Sequence, residues 1–185
     1  MVYILLGAGF EEAEALVTAD VLRRGNLPVS LVGIGGPAVV GAHGITVIAD
    51  EAVENVTLTA GDMLLLPGGM GGVESMEGSS HAMELARQAA HCDGLWLAAI
   101  CAAPTLLARH NIIGNGQKAV CYPGMENLML PAGVVPCMDF PAIRDGRLIT
   151  GKGPGTVYDF ALLILETLTD AQLAGQIRAG LHYGL

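Results

Sequence analysis

One cysteine stands where a buried apolar run changes into a helical pattern, in the stretch LWLAAICAAPTL. Binding sites in open α/β sheets form beyond the carboxyl ends of the strands, which is where Cys101 falls. Three small residues flank it, as a tight turn carrying a nucleophile requires: Ala99, Ala102 and Ala103. Pro104 fits the first turn of a helix, whose N-terminus lowers the pKa of a thiol. Cys101 is therefore a candidate nucleophile, and a small core thiol is the alternative interpretation.

Three acidic residues, Glu11, Glu12 and Glu14, follow the first predicted strand, where a helix begins at the same edge of the sheet. A solvated face that complements the helix dipole is the open alternative for Glu11 and Glu12. Glu14 lies on the helix face of Glu11 and can point inward. A thiolate at Cys101 and an ionised Glu14 about 4 Å apart would repel by about 4 kcal/mol at an effective dielectric near 20. We therefore expect the pair to share one proton, as a thiolate and a protonated Glu14.

The stretch LLLPGGMGG, residues 64–72, is the third candidate. Its glycines allow a backbone N–H group, which we expect to be that of Gly69, to approach a ligand closely. An ordinary turn at the end of a strand is the alternative interpretation.

The elements that must position these residues alternate between apolar runs and helical patterns. Strands are predicted at 2–6, 28–36, 62–69 and 95–100, with a strand or hairpin arm at 44–53 and a hairpin turn at Asp145-Gly146. Helices are predicted at 11–25, 79–94, 102–114 and 156–168, with another ending near residue 181. This alternation predicts a single α/β domain over 1–185, with a mostly parallel sheet and helices on both faces.

Composition and missing motifs exclude several classes of function. The chain has 185 residues, 52% of them hydrophobic, and a net charge of −9, so we expect no nucleic-acid partner. The short apolar N-terminal run predicts neither a signal peptide nor a membrane span, and we expect a cytoplasmic protein. The four cysteines lack metal-ligand spacing, so they should be thiols without a metal. Glu12 stands where a dinucleotide motif needs its third glycine, and we expect no cofactor.

Four segments, in this order and at these separations, resemble the DJ-1 family of the DJ-1/PfpI superfamily: GFEEAEALVTADVLRRG, LLLPGGMGG, AAICAAPTLL and GKGPGT. The superfamily includes bacterial members once labelled ThiJ. The resemblance covers essentially the whole chain and implies a flavodoxin-like three-layer sandwich that assembles as a homodimer.

The resemblance also implies roles for individual residues. Cys101 would be the reactive cysteine and Glu14 the protonated carboxyl that binds its sulfur, with the backbone at Gly68, Gly69 and Ala102 forming the anion pocket. Pro154 would lie near the dimer interface and approach the partner's pocket.

Two departures from the family pattern concern the pocket. Tyr122 replaces a histidine found near the cysteine in many members, so it would wall the pocket or donate one hydrogen bond instead of completing a triad. His43 replaces a pocket arginine of some relatives. The protease-like branch has a histidine directly after the cysteine, where this chain has Ala102, so peptidase activity is not expected.

The implied activity is a glyoxalase that needs no glutathione, or a deglycase acting on early methylglyoxal adducts. Its substrate would be a small aldehyde or a glycated adduct. Two alternatives stay open: an oxidative-stress sensor or chaperone whose output is the oxidation of Cys101, and a thiamine-labelled ThiJ protein of unknown activity. No motif for a thiazole phosphate supports the last of these.

Overall fold

A computed structural model describes residues 1–184. Its strands, in chain order, are β1 (Val2–Leu6), β2 (Val29–Gly33), β3 (Ala38–Val40), β4 (Thr46–Ile48), β5 (Glu51–Ala52), β6 (Met63–Leu66), β7 (Trp96–Ile100), β8 (Lys118–Ala119), β9 (Val135–Pro136), β10 (Ala142–Asp145) and β11 (Leu148–Gly151). The α-helices are α1 (Glu12–Arg24), α2 (Met70–Gly78), α3 (Ser80–His91), α4 (Ala103–Arg109), α5 (Val157–Leu168) and α6 (Ala171–Gly180).

Seven strands form the main sheet, in the order β10-β11-β7-β6-β1-β2-β5. Every neighbouring pair is parallel except β10 and β11, which form an antiparallel hairpin at one edge. This arrangement confirms the predicted α/β fold with a mostly parallel sheet and the predicted turn at Asp145-Gly146. β1, β6 and β7 lie together in the middle of the sheet, so the loops after them meet at one edge.

Alternate residues of the central strands feed two separate cores, because successive side chains of a strand point to opposite faces. In β6, Leu64 and Leu66 belong to the core under α2, α3 and α4, whereas Met63 and Leu65 belong to the core under α1 and α5. All four of these side chains are at most 1% exposed. The uninterrupted apolar runs seen in the sequence are therefore strands covered on both faces.

Three elements differ from the sequence-based expectation. The helix predicted over 102–114 ends at Arg109, because Asn111 adopts a left-handed backbone conformation with φ of 52°. The segment 44–53 divides into β4, which pairs with β3, and the edge strand β5. Helix α2 was not predicted, since Gly71 and Gly72 in its first turn favour a loop in sequence terms.

None of the helices within residues 1–184 is both long and apolar enough to cross a membrane.

Candidate active site

Cys101 occupies a sharp turn between β7 and α4. Its φ of 66° lies in the left-handed region, which a residue with a side chain rarely adopts. The turn is fixed on both sides, because the Cys101 N–H donates to the Gly151 carbonyl at 3.0 Å and the Cys101 carbonyl accepts from the Tyr122 N–H at 2.8 Å. Ala102 is 2% exposed and packs beneath the turn. Strain of this kind, held by the surrounding structure, is typical of functional sites.

Glu14 reaches this turn from α1 and is fully buried. Its Oε2 accepts a hydrogen bond from the Gly68 N–H at 2.7 Å. Its Oε1, also buried, has no hydrogen-bond partner among the described residues. Burial raises the pKa of Glu14 to about 7. Because an unpaired buried charge costs more than an unpaired neutral group, this geometry favours the protonated carboxyl.

Two glycines leave room for the thiol and the carboxyl to meet. A Cβ on Gly68 would lie 2.8 Å from Glu14 Oε2 and 2.9 Å from Cys101 Sγ, so both atoms converge on the space that this glycine leaves open. Gly69 has a φ of 82°, and a Cβ there would lie 2.7 Å from the Glu11 nitrogen. Hydrogen bonding from the backbone N–H groups of Ala102 and Gly69 lowers the pKa of the Cys101 thiol.

The protonation of Cys101 differs from the sequence-based expectation of a lowered thiol pKa. Burial and then the charge and hydrogen bond of Glu14 raise the pKa of Cys101 to about 12, and the two backbone N–H groups offset only part of this rise. The contributions of Glu14 require its ionised form, so they vanish once Glu14 holds the proton. Burial still raises the thiol pKa in that state, so the two titrations are coupled and a thiolate forms most easily while Glu14 is protonated.

The thiol opens into a cavity of about 460 Å³. Mostly uncharged groups line it, including Met70, Tyr122, Pro123 and Pro154. Tyr122 stands at the cavity as expected and is 48% exposed. Pro154 lines the cavity of its own chain, so a partner subunit is not needed to bring a proline there. A cavity of this size accommodates a small organic ligand.

Glu11 also lines this cavity, which sequence reasoning did not assign to it. Its backbone N–H donates to the Gly68 carbonyl at 3.0 Å, which fixes the beginning of α1 against the Pro-Gly-Gly turn. Its side chain is 18% exposed, so it is not part of a fully solvated face. The three-residue spacing from Glu14 is the signal in the sequence that could have placed it there.

The expected place of His43 in the pocket is wrong. The imidazole is 67% exposed and lies outside the cavity, with Nδ1 2.8 Å from Glu12 Oε2 and 3.7 Å from Glu11 Oε1. Glu12 is only 4% exposed and accepts from the His43 and Ile45 N–H groups at 2.7 and 3.4 Å. The solvated interpretation of Glu12 is therefore also wrong, because this carboxylate fixes the loop before β4 to α1.

The sequence predicted no metal site. Within residues 1–184, Glu11, Glu12 and His43 bring ligand atoms within 4.8 Å of one another. The oxygens of Glu12 already have donors in the loop around His43, and these contacts account for the cluster without an ion.

The cysteines outside the site differ in exposure. Cys92 is exposed, Cys121 is buried and Cys137 is partly buried. All four cysteines are free thiols, so none is held in a disulfide.

Comparison with known proteins gives one consistent result. The model of the DJ-1/PfpI family matches residues 1–167. Protein dj-1beta of Drosophila melanogaster is 38% identical over 179 residues, which cover 96% of this chain and 94% of that protein. Its crystal structure superposes with a TM-score of 0.91 at 34% identity, covering 100% of this chain and 98% of that chain.

Two further relatives bear on chemistry. A protein of Caenorhabditis elegans named glutathione-independent glyoxalase DJR-1.2 is 37% identical over 158 residues, covering 85% of this chain and 82% of that protein. A structure of Toxoplasma gondii DJ-1, described as oxidized, superposes with a TM-score of 0.87 at 27% identity, covering 100% of this chain and 98% of that chain.

Proposed function

Because the chain belongs to the DJ-1/PfpI family, we propose that it converts small α-oxoaldehydes such as methylglyoxal to hydroxy acids without glutathione. The proposal depends on one arrangement: a thiol on a strained turn, in contact with a fully buried carboxyl that has a single hydrogen-bond donor. The name of the Caenorhabditis elegans relative supports the same chemistry. A nucleophile and an acid with shifted pKa values, set side by side, are what aldehyde addition requires.

Addition begins when the shared proton resides on Glu14 and the sulfur is a thiolate. Cys101 Sγ forms a bond to the aldehyde carbon, and the carbonyl electron pair moves to the oxygen. The N–H groups of Gly69 and Ala102, which lower the pKa of the thiol, are available to stabilise that oxygen. Glu14 then donates its proton to give a neutral hemithioacetal.

In the rearrangement, the ionised Glu14 carries the hydrogen of the former aldehyde carbon, as a proton, to the carbon of the neighbouring carbonyl, while the hemithioacetal hydroxyl proton passes to the oxygen of that carbonyl. The product is a thioester of Cys101 with a hydroxy acid. Water hydrolyses this thioester, which releases the hydroxy acid and restores the thiol. Overall, one aldehyde and one water give one hydroxy acid, with no external oxidant. Early methylglyoxal adducts release the same aldehyde, so a deglycase activity would be this chemistry with another source of substrate.

Lactate formation from methylglyoxal tests the proposal. Cys101→Ala should form no lactate, because the nucleophile is gone. Cys92→Ala, which removes an exposed thiol outside the cavity, should retain wild-type turnover. Full turnover by Cys101→Ala would exclude this mechanism.

Redox sensing through Cys101 is a second candidate, favoured by the half-buried thiol in an open cavity and by the oxidized relative from Toxoplasma gondii. Peroxide attacks a thiolate, and the protonated Glu14 can donate to the resulting sulfinate. Mass spectrometry after mild peroxide should then show two added oxygens on Cys101 before Cys92 changes. Equal oxidation of Cys101 and Cys92, together with aldehyde turnover, would exclude redox sensing and support only the glyoxalase proposal.

We further propose that the protein is a homodimer, as the resemblance implies. In the single chain, Val40 and Ile48 lie on one face of the hairpin of β3 and β4 and are 48% and 67% exposed, and Ile45, directly before β4, is 52% exposed. Grouped exposed apolar residues mark interaction surfaces. Light scattering should give twice the chain mass of 19.0 kDa, and Ile48→Lys should lower it. A mass of one chain for the wild type would contradict the dimer.

A further inference from the structure

We propose that Glu11 makes the cavity selective for uncharged aldehydes and excludes those that carry a carboxylate or phosphate. This inference rests on the proposed function for its substrate class. It goes beyond that function in assigning charge selection to a residue that takes no part in the chemical steps.

The position of Glu11 is fixed by the backbone. Its N–H donates to the Gly68 carbonyl, and its nitrogen faces Gly69, whose own N–H lowers the pKa of the reactive thiol. The side chain lines the same cavity as Cys101 and Met70. A carboxylate is therefore held at the wall of the cavity that an aldehyde must enter.

The charge of Glu11 acts on the reacting groups. It contributes to the raised pKa of Glu14, which shows that its field reaches the carboxyl beside the thiol. An anionic substrate would meet this carboxylate and also the negative charge shared by Cys101 and Glu14. A neutral aldehyde meets neither penalty.

Cations do not cancel this charge. Within residues 1–184, no lysine or arginine lines the cavity. His43 lies 3.7 Å from Glu11 but is also paired with Glu12, so these three groups together stay negative. Lys152 lines a separate shallow cavity that shares Tyr122 and Pro154 with this one, on the side formed by the 152–156 loop.

The remaining wall of the cavity is apolar. Met70, Met125 and Pro123 offer no donor to a carboxylate or phosphate. An aldehyde with a short apolar substituent can bury that substituent here, whereas a carboxylate would lose part of its hydration without gaining a cationic partner. The structure thus favours methylglyoxal over an anionic aldehyde such as glyoxylate.

Two alkylating reagents test the charge effect without any turnover. Iodoacetamide and iodoacetate place the same reactive carbon next to a neutral amide or a carboxylate. The ratio of their rates at Cys101, followed by mass spectrometry, cancels any change in the thiolate fraction. Cys92 in the same molecule gives an internal reference ratio for an exposed thiol.

Wild-type Cys101 should prefer iodoacetamide more strongly than Cys92 does. Glu11→Gln should reduce the preference about tenfold at low salt, and less at high salt, as expected for one nearby charge. Glu54→Gln removes an exposed glutamate that does not line the cavity and should leave the ratio unchanged.

An unchanged ratio in Glu11→Gln, with folding verified by its thermal transition, would overturn the inference. Should that variant unfold, the salt dependence of the wild-type ratio still tests the inference, and a salt-independent ratio would overturn it. Inhibition of methylglyoxal turnover by glyoxylate, an anionic aldehyde that can add to the thiol but has no ketone onto which to rearrange, then extends the test to substrates. Loss of the proposed function would appear as no lactate from methylglyoxal, while the alkylation ratios still report on Glu11.

Discussion

Glu12 and Glu14 are two buried carboxyls on the same first turn of α1, yet their surroundings give them opposite protonation. Glu12 is 4% exposed and its oxygens accept hydrogen bonds from the loop around His43. Burial opposes the ionised form of Glu12, but the hydrogen bonds outweigh it and lower its pKa. Glu14 is fully buried with one N–H donor, and burial raises its pKa to about 7.

The difference shows that the number of donors, and not burial alone, decides the charge of a buried carboxyl. Residues two apart on a helix point to nearly opposite sides, so one turn serves two regions. Glu12 acts as a structural anion for a surface loop. Glu14 is left short of donors beside a thiol, which makes it an acid.

The largest predicted difference between the two carboxyls is in turnover. Glu14→Gln should lower lactate formation by about 10² to 10⁴-fold, the range for loss of a general acid or base. Glu12→Gln should change kcat by less than about threefold, since its proton state takes no part in addition. Equal losses in the two variants would show that both act on the chemistry or that both act only on folding.

The second difference is in the pH dependence of stability. The folded pKa of Glu14, about 7, lies above its ordinary value of 4.5, so its favourable contribution is complete below pH 4.5 and is lost as pH rises through 7. Relative to Glu14→Gln, the wild type should lose about 3 kcal/mol of unfolding free energy over this window.

Urea unfolding at pH 4.5 and pH 8 checks this expectation, with Glu54→Gln as a matched exposed control. Parallel pH dependence of the wild type and Glu14→Gln would contradict the protonated carboxyl.

The smallest difference concerns the loop held by Glu12. Glu12→Gln should lower the free energy of unfolding at pH 7 by about 2 kcal/mol, because hydrogen bonds to a charged acceptor are lost. The lowered pKa of Glu12 means that this stabilisation is present above pH 4.5 and is lost as pH falls through its folded pKa. Thermal unfolding that matches the wild type at pH 7 would show that the loop does not need the charge.

Much of the fold could be predicted because its signals are local. The runs at 2–6 and 95–100 match β1 and β7 closely, and the serine before α3 caps that helix as its sequence indicates, by accepting from the Ala82 N–H at 3.2 Å. Helix α2 and the early end of α4 were not predicted. In α2 the glycines are needed for close packing, since a Cβ on Gly72 would lie 2.7 Å from the Phe10 Cα. Tertiary contact overrides propensity there.

The candidate site could also be predicted only in part. The position of Cys101 after an apolar run, with alanines and a proline behind it, predicts the turn that the structure shows. The place of Glu11 at the cavity and of His43 outside it depends on how the 41–45 loop folds over α1, which no local pattern encodes.

The sequence by itself determined the alternation of strands and helices, and so the edge of the sheet where Cys101 and Glu14 meet, because periodicity and small residues are properties of short segments. Only the tertiary structure decided which carboxyl holds a proton. That choice depends on donors brought by Gly68 and by the His43 loop, far away in the chain, and on how completely each oxygen is removed from water.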